Sequence, residues 1–296
     1  MTVAQLDSLI TLLTSRPQPE KPDVAQSRAR YEKLAQVLGS APDAKVEKVD
    51  AGGVPAEWVA APGADGARAV LYLHGGGYAI GSLNTHRRLA YDISAASSAR
   101  VLVIDYRLAP EHPFPAAVED SVKAWRWLLA QGIAPNRLAI AGDSAGGGLT
   151  IATLVSLRDQ KLALPACAVA ISPWVDLEGL GTSMTARSQQ DPMVQKAGLL
   201  WMAGMYLNGK DPRTPLAAPL HADLKGLPPV LVQVGSAETL LDDATRLAEK
   251  LHKAGGEVKL AIWPNQLHVF PFFAPVLSEG RDGCVEIGTF IRARTG

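Results

Sequence analysis

Gly142-Asp143-Ser144-Ala145-Gly146 follows the apolar run Leu138-Ala139-Ile140-Ala141 and leads into Gly147-Gly148-Leu149-Thr150-Ile151-Ala152. That order reads as strand, tight turn, helix. A serine at the apex of such a turn must hold a strained backbone conformation, which only small residues on either side leave room for. Its hydroxyl is then exposed at the strand's C-terminal end. Taken alone, the pattern also suits a plain glycine-rich strand-to-helix turn, so its meaning rests on what else the chain supplies.

From about residue 46 onward, short β-rich runs alternate with longer helical patterns, the arrangement of a mainly parallel sheet flanked by helices. Eight candidate strands fall at 46–50, 56–60, 69–74, 101–105, 138–142, 167–172, 230–234 and 258–263. Runs such as Val101-Leu102-Val103-Ile104 and Val230-Leu231-Val232 show no polar alternation, as expected of central strands covered on both faces. The first two strands alternate and carry charge, which predicts an edge hairpin turning at Gly52-Gly53. Helices are expected over 114–131, after Ser144, over about 240–254 and at the C-terminus. Two segments stand outside the alternation. Residues 1–45 hold two amphipathic helical patterns separated by the proline-rich stretch 17–22, and 183–208 sets Trp201, Met202, Met205 and Tyr206 between two strands. Insertions over the C-terminal ends of strands often become lids. The expected organisation is a catalytic domain over 46–296, with 1–45 and the insertion 183–208 as two parts of a small cap.

Composition narrows the possible partners. With 296 residues, a formal net charge of zero and no run of five like charges, neither a nucleic-acid face nor a polybasic membrane anchor is suggested. A neutral small molecule is the default partner. The first eight residues lack a basic stretch, and no apolar run approaches the roughly 20 residues that span a bilayer. Cys167 and Cys284 show neither metal-ligand spacing nor a disulfide framework. These features predict a cytoplasmic protein with no membrane span, metal or cofactor.

An exposed serine needs a base, an acid to orient that base, and donors for the oxyanion of a tetrahedral intermediate, each at a strand's C-terminal end. The G-x-S-x-G run resembles the nucleophile elbow of the α/β-hydrolases, where these groups follow in the chain order serine, acid, histidine. Leu71-Tyr72-Leu73 runs into His74-Gly75-Gly76-Gly77-Tyr78, whose glycines bring main-chain N–H groups close to a developing negative charge. Gly75 and Gly76 are the expected donors, with Ala145 at the positive end of the following helix as the third. His74 is expected to brace this loop. Neither glycine run carries the Lys-Ser/Thr pair of a phosphate loop, nor G-x-G-x-x-G with a downstream acid. Of six histidines, His268 follows the last strand after a short loop, where an α/β-hydrolase places its base. The strand at 230–234 opens toward Glu238, with Asp242 and Asp243 already in the next helix. Glu238 is the favoured acid and Asp242 the alternative. The predicted triad is Ser144, Glu238 and His268.

Three motifs extend the resemblance along nearly the whole chain: His74-Gly75-Gly76-Gly77-Tyr78 with Gly81-Ser82 and His86, then 105–116 with its Asp105-Tyr106-Arg107 start, then Gly142 to Gly147. Together they are similar to the bacterial hormone-sensitive-lipase-like carboxylesterases. That resemblance implies an α/β-hydrolase fold with an eight-stranded, mostly parallel sheet and a small helical cap. It also implies hydrolysis of an ester through an acyl-enzyme, a 105–116 segment that buttresses the site through a buried Asp and Arg network, and dimerisation through the sheet edge near the eighth strand. The family more often carries aspartate where this chain has Glu238. The bulky cluster Trp201, Met202, Met205 and Tyr206 is expected to crowd the substrate pocket, favouring short to medium acyl chains. Competing readings are an amidase or deacetylase, and a ligand-binding receptor on the same fold, the last disfavoured because receptors of this kind lose the histidine present here as His268.

Overall fold

A computed structural model describes residues 3–15 and 23–296; Met1, Thr2 and the expected proline-rich break at 17–22 lie outside the described residues. Two helices, α1 (Val3–Thr14) and α2 (Val24–Leu38), precede the hairpin β1 (Lys45–Asp50) and β2 (Pro55–Ala60). Next come β3 (Asp65–Leu73), α3 (Leu83–Ser97), β4 (Ala99–Ile104), α4 (Ala116–Ala130), β5 (Leu138–Asp143), α5 (Ala145–Asp159) and β6 (Cys167–Ile171). A long connection holds α6 (Ser183–Ala186) and α7 (Lys196–Leu207) before β7 (Val230–Gly235), α8 (Leu241–Lys253), β8 (Val258–Trp263) and α9 (Ser278–Arg292).

The strands form one sheet in the order β1-β2-β4-β3-β5-β6-β7-β8. β1 with β2 and β2 with β4 are antiparallel, whereas β4-β3-β5-β6-β7-β8 is parallel throughout. Every residue of β5, β6 and β7 is buried, which is why these strands carry no polar alternation. Period two along each strand feeds two separate cores. Leu71, Leu73, Leu102 and Ile104 face a layer built by α4, α5 and α8, with Trp125, Leu149 and Leu247. Val70, Tyr72, Val101 and Val103 face α3 and α9, through Ile93 and Ile287.

Observed ends differ from the expected ones by a few residues. β3 starts at Asp65 because a register shift between Asp65 and Ala69 keeps both paired with β4, and it stops at Leu73, short of His74. The helix expected over 114–131 is trimmed to Ala116–Ala130, with Pro115 as its N-cap. Among the described residues, no helix is long and apolar enough to cross a membrane.

The order β4-β3-β5 locates the site. From β3 the chain leaves toward α3 on one face, and from β5 toward α5 on the other, so the two loops part and open a crevice at the strands' C-terminal ends. The HGGG loop and the serine turn are those two loops.

Candidate active site

Ser144 sits at φ 55°, ψ −121°, between the end of β5 and the start of α5. A side chain forced into such a region costs about 1–3 kcal/mol, so the surroundings must over-determine it. Ser144 N–H donates to Ile171 O at 2.8 Å, while Trp174 N–H and Gly148 N–H donate to Ser144 O at 2.9 and 3.1 Å. Close packing adds to these bonds. A Cβ on Gly146 would lie 1.9 Å from Leu73 O, so only glycine lets the elbow touch β3. Ala145 is the first residue of α5, where a backbone N–H has no intrahelical acceptor and carries the helix's positive end.

Glu238 and His268 arrive from the loops after β7 and β8. Glu238 Oε2 accepts from His268 Nδ1 at 2.8 Å, and Oε1 accepts from Ser172 Oγ at 2.8 Å and Gly235 N–H at 2.6 Å. Ser172 Oγ in turn accepts from Val269 N–H at 3.0 Å, so one hydroxyl fastens the acid and the histidine loop together. Burial raises the Glu238 carboxyl above the usual carboxylate range. Burial would lower His268, but the hydrogen bond and charge of Glu238 outweigh it and hold the imidazole above its ordinary value. With Nδ1 committed, Nε2 is the nitrogen left for proton transfer. Asp242 lies elsewhere. Its Oδ2 accepts from Thr182 Oγ1 at 2.6 Å and Ser183 N–H at 2.9 Å, tying α8 to α6.

The HGGG loop departs from expectation at its first glycine. Gly75 N–H donates to Asp143 Oδ1 at 3.0 Å, deep behind the loop, so it is not free to meet an oxyanion. Gly75, expected as a donor, is thus already bonded to Asp143 and is not one of the free N–H groups. Gly76 and Gly77 line the cavity beside Ser144 instead, and no hydrogen-bond acceptor for their N–H groups is found among the described residues. A Cβ on Gly77, at φ 60°, would lie 2.0 Å from Met202 Sδ, which fits glycine to a loop with a side chain pressed on it. His74 braces the loop through Nδ1 and Gly75 O, 2.8 Å apart, and stacks on Tyr106 at 4.3 Å. Burial and the neighbouring His86 push His74 down to about 3, so it stays neutral.

Ser144 and His268 open on a single cavity of about 360 Å³. Its walls come from α1 (Leu12, Leu13), α2 (Tyr31, Leu34), the 192–195 stretch and α7, with Phe272 below. Trp201 and Met202 line it; Met205 and Tyr206 do not. Tyr206 is one helical turn beyond Met202, where it stacks on Tyr78 at 3.7 Å and meets Phe114 edge-on at 5.7 Å. Met205 packs against the core. The expected four-residue pocket wall therefore reduces to two, Tyr206 instead supporting Tyr78 at the end of the HGGG loop from behind.

Residues 70–272 match the family described as the alpha/beta hydrolase fold. An acetyl-hydrolase from Streptomyces hygroscopicus is 47% identical over 274 residues, covering 93% of this chain and 91% of that protein. An esterase of the bacterial hormone-sensitive lipase family superposes with a TM-score of 0.97 at 47% identity over 100% of both chains. This chain belongs to the bacterial hormone-sensitive-lipase family of α/β-hydrolases. An ethyl acetate hydrolase from Pseudomonas putida is 34% identical over 226 residues, 74% of this chain and 71% of its own length.

In this family member the Asp and Arg network expected of the 105–116 buttress pairs Arg107 with a partner outside the segment. Arg107 binds Asp120 of α4, Nε to Oδ2 at 2.8 Å and Nη2 to Oδ1 at 2.9 Å, with Glu119 at 2.8 Å, and not Asp105. Tyr106 makes the direct link, donating to His74 O at 2.7 Å. Reasoning from sequence missed Ser172, Asp143 and Asp191. Asp191 Oδ2 accepts from Thr239 N–H at 2.9 Å, pinning the cavity-lining 192–195 stretch beside the acid loop. Its only local signal is Asp-Pro at 191–192, a turn signature that many surface loops share.

Proposed function

We propose that this hydrolase is a carboxylesterase that cleaves short to medium acyl esters through an acyl-enzyme on Ser144. His268 Nε2 takes the Ser144 proton as Oγ attacks the ester carbonyl; the C–O bond to the alcohol then breaks as the imidazolium returns that proton to the leaving oxygen. Water repeats the cycle on the acyl-enzyme and frees the acid. Glu238 holds Nδ1–H and offsets the imidazolium charge, and the N–H groups of Gly76, Gly77 and Ala145 receive the oxyanion. The observation that carries this reading is the 2.8 Å Glu238–His268 bond, whose imidazole opens on the same cavity as the strained Ser144.

The N-terminal helices and the 183–208 segment are its cap, since both supply cavity walls. At about 360 Å³ the cavity is near the lower end of the roughly 300–1,000 Å³ typical of small-molecule sites, which supports short substrates. Ester substrates are also what relatives such as the ethyl acetate hydrolase act on by name. The edge strand β8 exposes Leu260 and Ile262, and a dimer contact would lie there; a monomeric mass in sedimentation would remove it.

The test pairs Ser144→Ala with p-nitrophenyl esters from acetate to palmitate. Rates should peak at short to medium chains and vanish in Ser144→Ala, which should also escape labelling by a phosphonate probe. Activity surviving in Ser144→Ala, or an optimum at palmitate, overturns the corresponding half of the proposal.

A further inference from the structure

Behind the HGGG loop lies a second buried carboxylate–imidazole pair that takes no step in the hydrolysis above. Asp143 Oδ1 accepts from Tyr72 O–H at 2.7 Å as well as from Gly75 N–H, and Oδ2 lies 3.3 Å from His86 Nε2. His86 Nδ1 is 2.7 Å from Thr85 Oγ1, which gives its own proton to Ser82 O at 2.9 Å and is therefore the acceptor. Nε2 is the shared end of the ring. Besides Asp143 it meets Gly75 N–H and the hydroxyl of Tyr31, each at 3.3 Å.

Tyr31 belongs to α2, packs edge-on against His86 at 5.6 Å and lies beside Phe272 at 5.9 Å. It also lines the substrate cavity with Ser144. One cap side chain thus touches both the substrate's space and, through a single imidazole, the peptide unit next to Gly76. Docking of α2 does not depend on this contact. Arg28 Nε donates to Ala79 O at 2.9 Å, and Glu32 pairs with Ser82 Oγ. What the Tyr31 hydroxyl adds is direction at Nε2.

We propose that Tyr31 is a positioning residue for the oxyanion donors: by bonding His86 Nε2 it keeps the imidazole against Asp143 and Gly75, and so sets the direction of the Gly76 and Gly77 N–H groups. Negative charge on the substrate oxygen is largest in the transition state, so misdirected donors weaken that state more than the bound ester. The inference rests on the Ser144 acyl-enzyme reading.

Tyr31→Phe keeps the ring and its packing and removes only the hydroxyl. On p-nitrophenyl butyrate, kcat should fall roughly five- to ten-fold, the effect of one neutral hydrogen bond, with KM within about two-fold. A trifluoromethyl ketone, which Ser144 Oγ adds to and which then carries an oxyanion, should bind more weakly by the same factor. The matching secondary alcohol, which carries none, should bind as before. That ratio of affinities is read on folded protein, so lost stability cannot imitate it. An unchanged kcat, a rise in KM alone, or equal weakening of both inhibitors overturns the inference. With Ser144→Ala run alongside, activity that survives there overturns the acyl-enzyme reading and this inference together. A Ser144-dependent enzyme indifferent to Tyr31→Phe overturns the inference alone.

Discussion

Two carboxylate–imidazole pairs lie buried among the described residues, Glu238 with His268 and Asp143 with His86, and their differences suit the first to proton transfer, as proposed above, and the second to holding a loop. Glu238 meets His268 at 2.8 Å, whereas Asp143 stands 3.3 Å from His86. Burial dominates at Glu238 and raises its pKa; at Asp143, burial also opposes the charge, but His86 and the Tyr72 hydroxyl outweigh it and hold the carboxyl below the usual range. The decisive contrast lies at the second nitrogen. His268 Nε2 has no hydrogen-bond partner among the described residues, and its ring lines the cavity, whereas His86 Nε2 is enclosed by Asp143 Oδ2, Gly75 N–H and the Tyr31 hydroxyl, each at 3.3 Å. An imidazole with both nitrogens committed can only brace; one with a nitrogen left over is free to act as a base.

The sharpest way to break this contrast is to neutralise each acid. Glu238→Gln leaves Nδ1 facing an amide that can select the wrong tautomer, and kcat should fall by about 10³–10⁴ with KM little changed. Asp143→Asn retains an acceptor for Gly75 N–H and should cost only about 10-fold in kcat, together with a lower melting temperature from the weakened bracket. Comparable losses of kcat in the two variants would show that the pairs do not divide the work as stated.

The pH profile separates them next. His268 must be neutral to act as base, and Glu238 holds its pKa above 6.5, so the acid limb of kcat/KM should lie above that value. In Glu238→Gln the limb should move downward, since burial is then opposed only by the more distant charges of Asp191 and Asp143. For stability the signs are opposite. His268, raised on folding, stabilises below its unfolded pKa, and that contribution is lost as pH rises through the folded value. Asp143, lowered on folding, stabilises above its unfolded pKa of about 3.8, a contribution lost as pH falls through the folded value. An acid limb that stays in place in Glu238→Gln would detach the carboxylate from the base.

Much of the first pair was legible in the sequence because its members stand at strand ends in chain order. Ser144 and Glu238 follow apolar runs that read as central strands, and His268 follows the last strand of the chain, β8 at the sheet edge. The second pair was not legible. Asp143 is the unassigned x of the elbow motif and His86 a motif residue given no role, and only the parting of the loops after β3 and β5 brings them together with Gly75. The same reason put Gly75 among the expected oxyanion donors: nothing local tells Gly75, turned inward to Asp143, from Gly77, turned to the cavity. Helical spacing grouped Met202 with Tyr206, yet one turn of α7 carries the chain from cavity wall to the back of Tyr78.

The finest test removes one donor from each carboxylate. Ser172→Ala deletes a bond to Glu238 Oε1 and the link to Val269, so it should lower kcat several-fold and loosen the histidine loop. Tyr72→Phe deletes the 2.7 Å bond to Asp143 Oδ1 but leaves Gly75 N–H in place. Tyr72 is fully buried beneath the loop, and its hydroxyl contributes about 1.5–3 kcal/mol as a donor to a charged acceptor. The expected result is a melting temperature lower by about 2–4 °C, with kcat nearly unchanged, because the ring still fills its place and Tyr31 still holds His86. A loss of kcat as large as that of Ser172→Ala, at equal stability, would mean that Asp143 acts on the reaction directly and is no bracket.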